Sequence, residues 1–469
     1  AFGNVATGFI DNVTVAIGTN PASGVLSGTK TVAAVAGVAT FSSLSIDLAG
    51  SGYTLSATHN GLTVAVSASF DVIPSTPTQL AFIASPGQST AGAAITPAVQ
   101  VAVQDAFGNT VTSFTGNVTV ALGANPAGGT LSGTMTVAAV SGIASFSSVS
   151  LDKAGGGYTL VATSGAFTAD TSAPFTVIAG AATELVFIVQ PSAATAAATI
   201  TPQVEVIARD AHGNTATGFT GNVSVALASN PAGGTLSGTT QVAAVGGIAA
   251  FSTLSINKAG TYTLEAAATG LTADTSASFS IAAGALSHLA FTVQPSTTTA
   301  GASITPAVAV TAQDALGNTV TSFTGNVTLM ITGGTGTSGA VLSGTTTIAA
   351  VNGVATFSTL SIDKSGVNYT LSATAQALTG ATSGTFTIVP DVASQLVFTV
   401  QPSVTASGTI IVPAVKVTAQ DAHGNTAPTF AGNVTVALAP NAAGGTVSGV
   451  TTVAAIAGVA TFSSLTVDL

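Results

Sequence analysis

The side chains of this chain that could do chemistry recur on a fixed beat. Asp105, Asp210, Asp314 and Asp421 each precede a Gly-Asn pair, namely Gly108 and Asn109, Gly213 and Asn214, Gly317 and Asn318, and Gly424 and Asn425. A copy lacking its Asp opens the chain, with Gly3 and Asn4 as its pair. A carboxylate repeated in this way could ligate calcium, but such a site wants six to eight oxygens, usually from several carboxylates. The whole chain carries 16 acidic residues, about three per unit and scattered in sequence. An Asp that accepts hydrogen bonds from its own turn explains Asp-x-x-Gly-Asn with fewer partners. Calcium is therefore the weaker reading, and no cofactor is expected.

The remaining candidates have structural explanations. His212 and His423 occupy the position held by Phe107 and Leu316 in sister copies, while His59 and His288 lack a partner at zinc spacing. Lys153, Lys258 and Lys364 share one position, which raises an isopeptide crosslink. Such a bond needs a buried carboxylic acid nearby; Glu occurs only at Glu184, Glu205 and Glu265, and Leu48 and Leu469 replace the lysine elsewhere. A solvated turn lysine is the expectation. Asn12, Asn117, Asn222, Asn326 and Asn433 begin Asn-Val-Ser/Thr sequons, and Asn368 begins another. A turn after Gly116 and an outward Thr119 account for the pattern, and glycosylation is the weaker alternative. No nucleophile with its base and no phosphate loop is visible, so no enzyme is expected.

Composition narrows the classes further. Six basic and 16 acidic residues in 469 give a net charge of −10, and six cations cannot form a phosphate-binding patch. Nucleic acid is excluded as a partner. Cysteine is absent, so neither disulfides nor thiolate metal sites contribute. The longest apolar runs, such as 453–460, fall far short of the roughly 20 residues of a membrane helix, and no transmembrane segment is expected.

The elements that position these residues are short strands. Successive Gly-Asn pairs are 105, 105, 104 and 107 residues apart, the length of a small domain rather than of a solenoid rung. The expected units are a partial repeat over 1–76 with its first strands missing, complete repeats over 77–181, 182–286 and 287–393, and a partial repeat over 394–469 lacking its last strands. A window on a longer array is expected, with strand exchange between chains as the alternative. In 77–181, apolar alternation marks strands near 80–84, 99–103, 118–122, 134–139, 143–151, 158–162 and 174–178, with turn signals between them. The fold class is all-β, a series of antiparallel sandwiches. Tyr53, Tyr158, Tyr262 and Tyr369 each open the next-to-last strand, where a tyrosine hydroxyl can tie down the preceding loop.

Three elements stand in order in each complete unit: the Asp-x-x-Gly-Asn turn, a Gly-x-Ala-x-Phe strand ending at Phe146, Phe251 or Phe357, and an Ala/Ser-Gly turn before the Tyr. Together they resemble the tandem bacterial immunoglobulin-like domains of invasin- and intimin-type surface proteins. The resemblance implies immunoglobulin-like sandwiches serving as spacers of an extracellular, surface-attached bacterial protein. Its partners would then be the neighbouring repeats of the same chain. The nearly neutral Ser/Thr/Ala faces leave a homo-oligomeric, multichain filament as an alternative. An adhesin that binds host or carbohydrate ligands through these modules is a further one.

Overall fold

The computed structural model describes residues 3–440 and 444–468, and the described residues form strands and no helix. Leu469, which stands at the lysine position of the last copy, lies outside them. Residues 77–181 show the plan of a complete unit. In one layer Val99–Gln104 lies between Gln79–Ala84 and Ile143–Phe146. In the other, Asn117–Leu122 lies between Thr136–Ala138 and Leu160–Thr163, with Asp170–Thr171 at the edge. Gly155–Tyr158 pairs with Phe175–Ile178.

Alternation decides which face is buried, because successive strand side chains point to opposite faces. Val118 and Val120 are buried against Val99, Val101 and Val103 of the opposing layer. Between them Thr119 faces outward and meets Thr136 across the strand pair, Oγ1 to Oγ1 at 2.9 Å. The same outward pair recurs as Thr14 with Thr31, Thr328 with Thr347, and Thr435 with Thr452. The largest fully buried side chains include Tyr158 and Phe146, with Tyr262, Phe251, Tyr369 and Phe357 in the following units. Truncating one of these phenylalanines to Ala would cost about 3–5 kcal/mol.

The pattern of strands departs from the sequence expectation in three places. The single strand expected over 143–151 is two, and Ser150–Leu151 pairs with Leu131–Ser132, a segment not anticipated. The segment over 158–162 divides at Thr159, because the chain leaves one sheet for the other there. Gly155–Tyr158 follows Phe175–Ile178, whereas Leu160–Thr163 follows Asn117–Leu122. In residues 182–286 the turn before the Tyr is one residue shorter, the irregular register at Gly156 and Tyr158 disappears, and one strand, Gly260–Ala267, serves both sheets. Finally, each complete unit holds a short parallel pair: Ser89–Thr90, Ala194–Thr195 and Thr298–Thr299 lie along the closing strands.

Candidate functional site at the joint between repeats

The chemistry-bearing residues converge where one repeat meets the next. Asp210 follows the strand Val204–Arg209 and is 2% exposed. Its Oδ1 accepts the backbone N–H groups of His212 and Asn214, both at 2.9 Å. Its Oδ2 accepts from the Asn214 side chain at 2.9 Å and from the N–H of Gly180, in the linker, at 2.8 Å. The turn therefore clamps its own linker as well as itself. Asp105 holds Ser75 in this way, Asp314 holds Gly284 and Asp421 holds Asp391.

Burial alone would raise the carboxyl of Asp210. The Asn214 side chain and the N–H donors of Gly180, Asn214 and His212 outweigh burial and hold it below the ordinary aspartate value. The same balance lowers Asp105, Asp314 and Asp421. Carboxylate oxygens that already face N–H donors are poor cation ligands, so the set does not fit calcium. Among the described residues, no group of three or more His, Cys, Asp or Glu could hold a metal ion.

Asn214 carries the contact across the joint. Its Nδ2 donates to the carbonyl of Asp152 at 2.8 Å, and its Oδ1 accepts the N–H of Ala154 at 2.9 Å. Between those two residues, the carbonyl of Lys153 accepts the Tyr158 hydroxyl at 2.9 Å. Three consecutive residues of one repeat are thus held from the inside by its tyrosine and from the outside by the next repeat's asparagine. The arrangement recurs at every joint. Asn109 grips Asp47 and Ala49 around Leu48, Asn318 grips Asn257 and Ala259 around Lys258, and Asn425 grips Asp363 and Ser365 around Lys364. Tyr53, Tyr262 and Tyr369 supply the inner hydroxyls.

The position with a recurring lysine also acts across the joint. Lys153 Nζ donates to the backbone carbonyl of His212 at 2.7 Å, and Lys364 Nζ to that of His423 at 2.8 Å. The two imidazoles lie on glycines of the preceding repeat. A Cβ on Gly92 would stand 1.9 Å from His212 Nε2, and one on Gly301 would stand 2.0 Å from His423 Nε2. The repeat between them has Ala197 where these glycines stand, and the next turn has Leu316 where these histidines stand. The turn glycines Gly108, Gly213, Gly317 and Gly424 have φ between 75° and 86°, a conformation that favours glycine.

Sequence reasoning placed the turn and the tyrosine in separate roles and missed that they meet. The steady Asp or Asn just before the lysine position, at Asp47, Asp152, Asn257 and Asp363, has a different cause: its side-chain oxygen accepts the N–H of Val25, Thr130, Thr235 or Val341 within its own repeat, while the joint uses only its backbone carbonyl. Of the sequon asparagines, Asn12, Asn117, Asn222, Asn326 and Asn433 all lie exposed at the start of a strand. They take no part in the joint.

These sheets and joints define the molecule as an array of tandem immunoglobulin-like β-sandwiches. No family model and no curated protein matches the chain. Among solved structures it is similar to FdeC, an Escherichia coli adhesin, at 20% identity, covering 68% of this chain and all of that one with a TM-score of 0.33. It is also similar to invasin, a bacterial integrin-binding protein, at 14% identity over 82% of this chain and 73% of that one, TM-score 0.30. A β-glycosidase from Bacteroides vulgatus matches at 12% identity over 45% of this chain and 25% of that one, TM-score 0.21.

Proposed function

We propose that this chain is a non-enzymatic, extracellular structural segment, a stalk that extends a bacterial surface protein by repeating one sandwich. The observation that carries the reading is the joint: Asp, Asn and Tyr lock each repeat to its neighbour at all four junctions. A flexible linker would need none of these bonds. A spacer gains from them, since each fixed joint converts added residues into reach. The low charge and missing cysteines place no chemistry against this role.

Electron microscopy of the native surface material tests it. A thread one domain wide, roughly 20–25 Å from two sheets about 10 Å apart plus side chains, should be beaded at about 40 Å, the length of an eight-residue strand plus its loops. A jointless, randomly coiled thread would contradict the reading. A second reading, ligand binding, rests on an open polar cleft of about 580 Å³ beside Phe219, lined by Asn222, Ser224, Gln241 and Thr269. A cleft of about 610 Å³ repeats it beside Phe323. Glycan-array binding lost on Gln241→Ala would favour that reading over a plain spacer.

A further inference from the structure

The hairpin that leads into the Gly-x-Ala-x-Phe strand has an unusual tip. It turns on two residues of positive φ: Ala36 and Gly37, Ser141 and Gly142, Gly246 and Gly247, Asn352 and Gly353, and Ala457 and Gly458. That is the type I′ geometry of tight hairpins. The residue entering the turn is Val35, Val140, Val245, Val351 or Ile456, bridged to Val38, Ile143, Ile248, Val354 or Val459. These five side chains are 77, 76, 81, 71 and 82% exposed. They are spaced 105, 105, 106 and 105 residues apart.

Hairpin geometry does not demand an apolar residue here. A β-branched side chain suits the bridged pair, but Thr meets that need as well as Val. This chain uses Thr in exposed cross-strand pairs elsewhere, as at Thr119 and Thr136. What Val and Ile add is apolar surface held out to solvent once per repeat.

Area limits what could cover it. Burying one such side chain removes roughly 100 Å² of apolar surface, far below the roughly 800 Å² per partner of a stable interface. A globular partner meeting a single tip would not stay bound. Among protein partners, only an occupant that meets several tips together approaches the threshold, and it must carry the same spacing. A second copy of this chain has that spacing by construction. No charged residue lies within 33–38, 138–143, 243–248, 349–354 or 454–459, so like-charge repulsion does not oppose the approach there.

We propose that the five hairpin tips are contact points between two copies of this chain lying side by side. The contact is multivalent: each tip is weak, and the pair holds because the tips act together. The proposal does not depend on the spacer reading, since a stalk can be single or paired.

Sedimentation velocity from about 1 to 100 μM, the range in which weak dimers dissociate, tests it. The chain is compared with a variant carrying V35T, V140T, V245T, V351T and I456T, and with V245T alone. The unsubstituted chain should shift toward dimer with concentration, and the five-site variant should remain monomeric with unchanged circular dichroism and thermal unfolding. V245T alone should dimerise about tenfold more weakly, the stepwise loss that shared contacts predict. A chain that stays monomeric throughout, or a five-site variant that still dimerises, overturns the proposal. So does a monomeric chain that floats with phosphatidylcholine vesicles in a tip-dependent way, because the tips would then meet lipid.

Discussion

The joint at Asn214 and the joint at Asn318 perform the same task with different parts. At the first, Lys153 reaches the His212 carbonyl, and the His212 ring lies on Gly92. At the second, Leu316 stands in place of the histidine, Ala197 in place of the glycine, and no bond runs from Lys258 to Leu316 among the described residues. Both keep the asparagine bridge and the buried aspartate: Asn318 holds Asn257 and Ala259, and Asp314 holds Gly284. The bridge is therefore the fastener. The lysine, histidine and glycine are a matched set added at alternate joints, at Asn214 and again at Asn425.

Breaking the shared part should hurt most. Asp210→Ala leaves four N–H donors without their acceptor and should destabilise its repeat by on the order of 4 kcal/mol, read from that repeat's calorimetric transition. Asp314→Ala should cost the same despite the simpler joint; a much smaller loss there would mean the clamp depends on the added set. Acid probes the same groups. Their folded pKa values are lowered, so their contribution is complete above the ordinary aspartate pKa of about 3.9. It is lost as pH falls through the lower folded values, and thermal stability should decline only in that acid range.

The added set sharpens the contrast. Gly92→Ala drives a methyl into His212 and keeps a positive φ of 77°, which should cost about 2 kcal/mol. Ala197→Gly at the other joint meets no such ring, and its effect should stay within about 1 kcal/mol. Smallest of all, Lys153→Met removes one exposed bond and should cost less than about 1 kcal/mol. Chemical unfolding of the repeats on either side of each joint measures all three.

Much of this was legible in residues. The alternation of Val118, Thr119 and Val120 placed the core face, and the Gly-Asn beat gave the repeat. The role of Asn214 was not legible, because its partners Asp152 and Ala154 lie about 60 residues away, beyond any local pattern. Turn chemistry explains an Asp that caps its own loop, and it is silent on the linker N–H of Gly180 that shares the same carboxylate. The split at Thr159 was hidden for a related reason. A strand that changes sheets keeps its local alternation, and only its hydrogen-bond partners reveal the change.

The most direct test of a locked joint is small-angle X-ray scattering on the chain and on a variant with Asn109→Ala, Asn214→Ala, Asn318→Ala and Asn425→Ala. The asparagine bridges predict a shorter average maximum dimension and a broader distance distribution in the variant, with each repeat still folded by circular dichroism. Scattering curves that superimpose would contradict the account, since the repeats would then be held in line by something other than these bonds.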